Sequence, residues 1–233
     1  MKTVTDLKVT QIRIFPVDVV PLSLITTKTC IDKIRDTLSI GEVEVRPFIE
    51  GNIIIFRRGE LRKDTRVIVV SKIEVDPRRI IVDVEGTSGD GNEAYKSFLS
   101  AITSTAKDNG ESLNMPLLLA ETSQCTVSLD FAFDTLFSNV FVEFLKHRVE
   151  SEASNTVAKA SIRPVAATAE IIYDIVDKTL LDNKITMNPK QFTISPRQGA
   201  PSEARKYFIS SPFDSDTHLK LVKELNKVIT NSR

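Results

Sequence analysis

The stretch EVEVRPFIEGNIIIFRRG, residues 42–59, carries the signals that decide the fold. Charged and apolar residues alternate strictly from Glu42 to Arg46, which is typical of a half-buried β-strand. Gly51-Asn52 then gives a two-residue turn, and the apolar run from Ile53 to Phe56 predicts the returning strand. This segment therefore predicts an antiparallel hairpin.

Further elements surround this hairpin in the first half of the chain. Alternating or apolar runs predict strands, and apolar residues at helical spacing predict two helices. The strands are expected at residues 7–15, 65–75 and 80–84, the helices at residues 21–38 and after a loop at 86–91, and a charged loop at residues 59–64. The order is strand, helix, a meander of about four strands, and helix.

The second half repeats this order after a polar linker at residues 107–114. A strand is expected first, then a helix, more strands and a last helix that starts near Asp214 or Ser215. The predicted strands lie at residues 124–131, 158–165, 169–176, 184–187 with 192–194, and 207–210, and the first helix of this half spans residues 133–149.

Short motifs recur at a nearly constant distance, which indicates an internal duplication. Arg46-Pro47 recurs as Arg163-Pro164, and Ile54-Ile55-Phe56 recurs as Ile171-Ile172-Tyr173, each 117 residues later; Val75-Asp76-Pro77-Arg78 resembles Ile194-Ser195-Pro196-Arg197, 119 residues later. The sequence therefore predicts an α+β fold built by tandem duplication of a β-α-β4-α unit. Residues 1–110 form the first repeat and residues 111–233 the second, with antiparallel sheets in a pseudo-twofold arrangement and helices on one face.

This order of elements resembles the repeat of the TATA-box-binding protein family, in which two such units join their sheets into one saddle. The segment Ile54-Ile55-Phe56-Arg57-Arg58-Gly59 stands where that family has an aliphatic strand that ends in a DNA-wedging phenylalanine before a glycine turn. Tyr173 is the symmetric residue. The resemblance implies a pseudo-twofold saddle, although function does not follow from a fold alone. A helix-grip domain, whose curved sheet wraps one long helix around a ligand cavity, is the alternative fold.

The charge balance disfavours a dedicated nucleic-acid-binding protein. The 31 basic and 31 acidic side chains cancel, whereas proteins that bind phosphate backbones usually carry a basic excess. Two cysteines and two histidines are too few and too scattered for a zinc site or a disulfide framework. No phosphate-binding loop or nucleophile motif occurs, so the sequence predicts no catalytic residue, no cofactor and no metal.

Two groups of residues are candidates for nucleic-acid contact. The basic stretch next to Phe56 would hold phosphates while the aromatic rings wedge between bases, or it is a solvated hairpin tip balanced by Glu60 and Asp64. The first group is Phe56, Arg57, Arg58, Arg62, Lys63 and Tyr173. The second group, Arg46, Arg78, Arg163 and Arg197, would line a groove or pair with strand carboxylates such as Glu44, Glu74 and Asp76.

The remaining motifs are predicted to be structural. The loop at residues 86–91 is a turn with Asp90 or Asn92 as helix cap, and Asp214 or Ser215 caps the last helix next to His218. The sequence thus favours a non-catalytic binding protein that engages another protein or a second copy of itself. Nucleic-acid binding and small-ligand binding are the alternatives. We expect cytoplasmic residence, because no apolar run is long enough to span a bilayer.

Overall fold

The computed structural model describes residues 3–16, 19–48, 51–63, 65–106, 118–145, 147, 164–171 and 190–231. Within these ranges, nine strands form a single antiparallel sheet that five α-helices accompany, so the α+β prediction is confirmed. The predicted linker at 107–114, the strand at 184–187 and almost all of the strand near 158–165 lie outside the described residues.

The strands are β1 Val4–Ile14, β2 Glu42–Phe48, β3 Gly51–Lys63, β4 Arg66–Val75, β5 Arg79–Glu85, β6 Leu118–Ser128, β7 Ala167–Ile171, β8 Lys190–Pro196 and β9 Lys206–Ser211. The helices are α1 Leu22–Ile25, α2 Lys28–Leu38, α3 Ser88–Ala106, α4 Asn139–Phe144 and α5 Ser215–Asn231. Two 3-10 turns, Phe133–Leu136 and Ser202–Ala204, complete the described elements.

Strand pairing joins the early and late parts of the chain at the centre of the sheet. The strand order is β2-β3-β4-β5-β1-β6-β9-β8-β7, and β1 pairs antiparallel with β6 from Val4 opposite Val127 to Ile14 opposite Leu118. A bulge between Thr5 and Lys8, where Asp6 adopts φ 54°, interrupts this register once. The sheet is therefore continuous from one half of the chain to the other.

The helices α3 and α5 cover the same face of this sheet. Val9 of β1 is in the core that α3 covers, and it pairs in register with Ser123 of β6, which hydrogen-bonds to His218 of α5. Because directly paired residues point to the same face, both helices lie on one side. The opposite side is referred to below as the open face.

Two clusters of apolar side chains hold the helices to the sheet. In the first, Phe56 of β3 and Phe98 of α3 are fully buried and meet edge to face, with ring centroids 5.8 Å apart. In the second, Cys125 and Ile209 from the strands pack with Val222 of α5. This concentration of buried apolar side chains on one face is what the alternation in the sequence predicts.

The charged segment at residues 59–64 was predicted to be a loop, and that prediction is wrong. Strand β3 continues to Lys63, pairing with β4 as far as Arg66. The strand passes through a left-handed residue, Arg58, with φ 57°. The next residue, Gly59, leaves little room for a side chain, because a Cβ there would lie 3.1 Å from the main-chain oxygen of Leu38 and 3.2 Å from Val70 Cβ.

The helix predicted at residues 133–149 is also different. A 3-10 turn covers Phe133–Leu136, and Ser138 then caps the separate short helix α4 by accepting a hydrogen bond from Phe141 N at 3.3 Å. Helix α4 buries none of its side chains, and its Val140 is 78% exposed.

The motif matches used to align the two halves conflict with the strand register. Val75 pairs with Ile54, whereas Ile194 pairs with Ala167. Matching Val75 to Ile194 therefore aligns Ile54 with Ala167, four residues before the Ile171 that the other motif indicates. The two motif matches cannot both hold, because strand pairing fixes the alignment of β3 once that of β4 is chosen.

Truncation of Phe98 tests the packing of α3. We expect Phe98→Ala to lower the free energy of unfolding by about 3–5 kcal/mol, because the fully buried ring leaves a cavity against Phe56. The matched control, Phe144→Ala on exposed α4, should change it by less than about 0.5 kcal/mol. Chemical denaturation that shows a loss under about 1 kcal/mol for Phe98→Ala would contradict this packing.

Candidate partner-binding face

Charged side chains on the open face in the first half of the chain neutralise one another. Lys72 of β4 lies 3.1 Å from Glu74 and 3.4 Å from Asp83 of β5. Burial lowers the pKa of Lys72, but the charge of Asp83 and the hydrogen bond to Glu74 outweigh it, so the net pKa is raised. Lys72 is therefore a fully charged group whose field two carboxylates already cancel.

A second charged group lies at the β2 edge of the same face. Arg46 donates two hydrogen bonds to Glu44, at 2.6 and 3.0 Å, and Arg57 approaches the same carboxylate at 3.8 Å. The hydrogen bond from Arg46 holds the pKa of Glu44 below its usual range. Toward the centre of the sheet, Lys8 pairs with Glu85 at 3.3 Å.

The middle of the open face in the second half is uncharged. Cross-strand pairing aligns Gln124 of β6 with Ser210 of β9, Thr193 of β8 and Thr168 of β7 in one row. The neighbouring rows pair Thr126 with Phe208 and Ser195, and Thr10 with Thr122. Among the described residues of these rows on β6, β9, β8 and β7, hydroxyl and amide groups surround one half-buried aromatic ring. Charged residues border them: Arg197 and Lys206 at one end, Glu170 on β7, and Lys8 of β1 opposite Gln124.

The residues predicted to contact nucleic acid do not form one surface. Phe56 is fully buried between sheet and helices, a position that is incompatible with wedging between bases. Arg57 points to the open face and pairs with Glu44, whereas Lys63 bonds to Glu93 of α3 on the helix side. Between them, Arg58 has a left-handed backbone conformation, which turns the residues after it toward the helix side. Its side chain is 83% exposed, and its Nε lies 4.0 Å from Glu42 Oε2. Arg62 is exposed, and Tyr173 lies outside the described residues.

The predicted groove arginines are also dispersed. Arg46 pairs with Glu44, as the alternative prediction held. Near Asp76 it is Arg79, at 2.6 Å, that makes the ion pair, while Arg78 donates its main-chain N–H to the same carboxylate at 2.8 Å. Arg197 lies across the open face at the rim, donating to Thr126 Oγ1 at 2.5 Å. Arg163 lies outside the described residues.

The first turns of α3 and α5 meet and bond to each other on the helix side. Ser88 N donates to Ser215 Oγ at 3.1 Å, and Ser215 N donates to Ser88 Oγ at 2.8 Å. Each serine thus satisfies a main-chain donor that the other helix leaves unpaired. Helix α3 begins at Ser88, inside the predicted 86–91 loop, and this reciprocal contact was not predicted.

The caps of the two helices follow one pattern. Thr87 Oγ1 accepts from Asp90 N at 3.3 Å, and Asp214 Oδ1 accepts from Thr217 N at 2.9 Å. The prediction of Asp214 as a cap is confirmed, whereas at α3 the cap is Thr87 instead of Asp90 or Asn92. The Asp90 carboxylate instead accepts bonds from Thr87, which completes a capping box.

A buried histidine links α5 to β6 beneath these helix ends. His218 and its neighbours Ser123 and Cys125 are fully buried. Ser123 Oγ lies 2.9 Å from Phe213 O and 2.7 Å from His218 Nδ1, and Cys125 Sγ lies 3.8 Å from His218 Nε2. A carbonyl only accepts, so the serine hydroxyl donates to Phe213 O and His218 Nδ1–H donates to the serine. The Nε2 atom is then left to accept from the cysteine thiol.

These three residues combine side-chain types found in catalytic sites, but all three are fully buried, and their contacts join α5 to β6. Burial lowers the pKa of His218 to about 4 and raises the pKa of Cys125 to about 11. The histidine is therefore neutral and the thiol protonated near pH 7, and a protonated thiol is a poor nucleophile. Alternation along β6 places Ser123 and Cys125 on one face, but no local pattern in the sequence indicates that His218, 95 and 93 residues later, lies against them.

An arginine of β1 is buried under the first two turns of α3. Arg13 of β1 is 4% exposed and lies over the ring of Tyr95, 3.7 Å from its centroid. Its Nη2 donates to Gln11 Oε1 at 2.9 Å and to Asn92 Oδ1 at 2.8 Å, and Gln11 Nε2 donates to Ser88 O at 3.1 Å. Polar groups therefore connect α3 to the central strands, which alternation alone did not indicate.

The buried histidine should make folding sensitive to acid. In the unfolded chain His218 takes up a proton below about pH 6.5, whereas in the folded chain it does so only near pH 4. The free energy of unfolding therefore decreases as the pH is lowered from about 6.5 to about 4. We expect His218 to contribute roughly 3 kcal/mol of this loss. The test is to measure the free energy of unfolding of wild type and of His218→Asn at pH 7 and at pH 4. The decrease from pH 7 to pH 4 should be smaller in His218→Asn by about this amount. Equal losses in the two proteins would contradict the buried neutral histidine.

Comparison with known proteins does not assign the chain to a family. No protein-family model matches the sequence, and no curated protein is significantly similar to it. In the described part of the chain, no three His, Cys, Asp or Glu side chains are grouped to hold a metal ion, and no helix is long and apolar enough to cross a membrane. What the chain binds is therefore inferred from its surface chemistry.

Proposed function

We propose that the chain is a non-catalytic binding protein whose open face holds another protein or a second copy of itself. The observation that carries this proposal is the uncharged row across β6, β9, β8 and β7 of that face, where Gln124, Ser210, Thr193 and Thr168 align. The cores of protein interfaces are depleted in charged residues, because a charge buried without a partner is costly. Hydroxyl and amide side chains instead offer donors and acceptors that a partner can satisfy.

The charged part of the face fits the same role. Lys72 has two carboxylate neighbours, and Arg46 and Arg57 share Glu44. A protein surface can dock against such pairs without separating them, and charged groups at the edge of an interface mainly set orientation and association rate. Phosphate binding, in contrast, needs cations that are not already neutralised.

The proposal includes the tandem duplication with a pseudo-twofold axis at the β1–β6 pair. Outward from that pair, β5, β4 and β3 follow β1 in the same way that β9, β8 and β7 follow β6. The reciprocal Ser88 and Ser215 bonds and the matching caps at Thr87 and Asp214 support it, since both pairs are separated by 127 residues.

This mirrored strand order is also what favours the second candidate, a nucleic-acid saddle. The two candidates differ in which groups pair with the cations of the open face. A saddle for DNA requires phosphates to replace the carboxylates that now pair with Arg46, Arg57 and Lys72.

A pull-down with the intact protein, scored for both protein and nucleic acid, tests the main proposal. We expect a protein partner, or a second copy seen by sedimentation, and we expect Thr122→Glu to abolish its binding by placing a larger, negatively charged side chain among the uncharged rows of the face. The matched control is Thr37→Glu on exposed helix α2, which should bind as wild type does. Equal binding by Thr122→Glu, or recovery of nucleic acid alone, would contradict the proposal.

Fluorescence anisotropy with duplex DNA separates the two candidates. We expect a dissociation constant of about 10⁻⁴ M or weaker at physiological salt, the range of non-specific association. Sub-micromolar binding whose steep salt dependence is flattened by Arg57→Ala with Arg58→Ala would instead establish the saddle.

A further inference from the structure

Strand β2 forms one edge of the described sheet, and none of the described strands pairs with its outer side. Its seven residues, Glu42–Phe48, pair with β3 in one continuous register. The unpaired side of an edge strand presents main-chain N–H and C=O groups that a further strand can bind. Which strand fits this edge is decided by the side chains of β2.

The side chains in the middle of β2 alternate between the two faces of the sheet. Glu44 and Arg46 point to the open face and carry opposite charges, and 36% and 55% of their side chains are exposed. Val45 pairs in register with Ile54, which is fully buried beneath the helices, so Val45 points to the helix side. Val45 is nevertheless 47% exposed. The edge therefore carries one exposed apolar residue between two opposite charges.

This pattern is complementary to itself in antiparallel pairing. Val45 is the midpoint of β2, so a two-fold axis at Val45 pairs two copies of the strand over their whole length. In that register Glu44 lies directly opposite the partner's Arg46, and Arg46 lies opposite the partner's Glu44. A shift by two residues, the smallest that keeps the faces aligned, puts Glu44 opposite the partner's Glu44 or Arg46 opposite the partner's Arg46. Opposite charges across a strand pair stabilise it, and like charges destabilise it.

The pairing does not require any existing ion pair to break. Arg46 donates to Glu44 of its own chain at 2.6 and 3.0 Å, and Arg57 approaches the same carboxylate at 3.8 Å. The two Glu44–Arg46 pairs run in opposite directions around the axis, so their four charges alternate in sign. On the helix side, Val45 meets the partner's Val45, and such β-branched pairs pack well between strands.

We propose that β2 pairs with β2 of a second copy of this chain about a two-fold axis at Val45, which joins the two sheets into one. The contact is isologous, because the same residues contribute from both chains. Pro47 lies opposite the partner's Val43, and that pair forms at most one main-chain hydrogen bond because proline has no N–H. An interface one strand wide is small, so the dimer is weak and reversible. It lies at the edge of the sheet, away from the uncharged rows of the open face, and does not require the partner proposed for that face.

Sedimentation velocity with the intact protein tests this pairing through its two charges. We expect wild type to dimerise with a dissociation constant below about 100 μM. Glu44→Arg places arginines opposite one another and Arg46→Glu places glutamates opposite one another, so each variant alone should dimerise at least about tenfold more weakly. Mixed in equal amounts, the two variants should form a heterodimer about as tight as the wild-type dimer, because each arginine again faces a glutamate. Recovery in the mixture also shows that both variants are folded.

The matched control is Glu224→Arg, which makes the same charge change at an exposed position on α5 and should dimerise as wild type does. Thr122→Glu, the variant that tests the open face, should also leave this dimer intact, so a failure of one proposal is distinguishable from a failure of the other. Monomeric wild type at about 1 mM, equal weakening by Glu224→Arg, or no association of the mixed variants would each overturn the proposal. Dissociation by Thr122→Glu would also overturn it, because the second copy would then occupy the open face.

Discussion

The antiparallel pairing of β1 with β6 is the interaction on which the rest of the structure depends. It joins strands that are more than a hundred residues apart in the chain into one sheet, and it gives each of them a second neighbour in place of an exposed edge. Above the pair, the two long helices meet and bond through Ser88 and Ser215, so their first turns are satisfied by each other instead of by solvent. If the pairing were lost, the two helix ends would lose each other as partners.

On the helix side, the junction between β1 and β6 contains buried polar side chains, and these restrict which substitutions it tolerates. Gln11, Arg13, Ser123 and His218 are all buried, and each makes a directed hydrogen bond. A buried polar network costs free energy unless its members are paired, so substitutions here act on several groups at once. The open face beneath has its own charged network, in which Lys72 pairs with Glu74 and Asp83. The proposed partner would contact that face, on the side of the strands opposite to the buried junction.

The local pattern of apolar residues was sufficient to predict most strands and helices α2, α3 and α5, because alternation and helical spacing indicate which side chains are buried. It failed at the end of β3, where Arg58 in a left-handed conformation keeps a charged stretch inside the sheet. It also failed for the candidate site. Phe56 was read as a surface aromatic, but whether a strand residue faces helices or solvent depends on packing that the sequence does not display. The contacts of His218 connect segments about 95 residues apart, and no local pattern encodes them.

Amide hydrogen exchange tests the continuity of the sheet most directly. If β1 and β6 are paired at its centre, amides of Val9–Arg13 and of Ala120–Cys125 should be among the slowest to exchange. They should also lose protection together as denaturant is added, since the two strands belong to one cooperative unit. Rapid exchange in β6, as expected of an edge strand, or loss of its protection well before that of β1 would show that the two halves form separate sheets and would contradict the account.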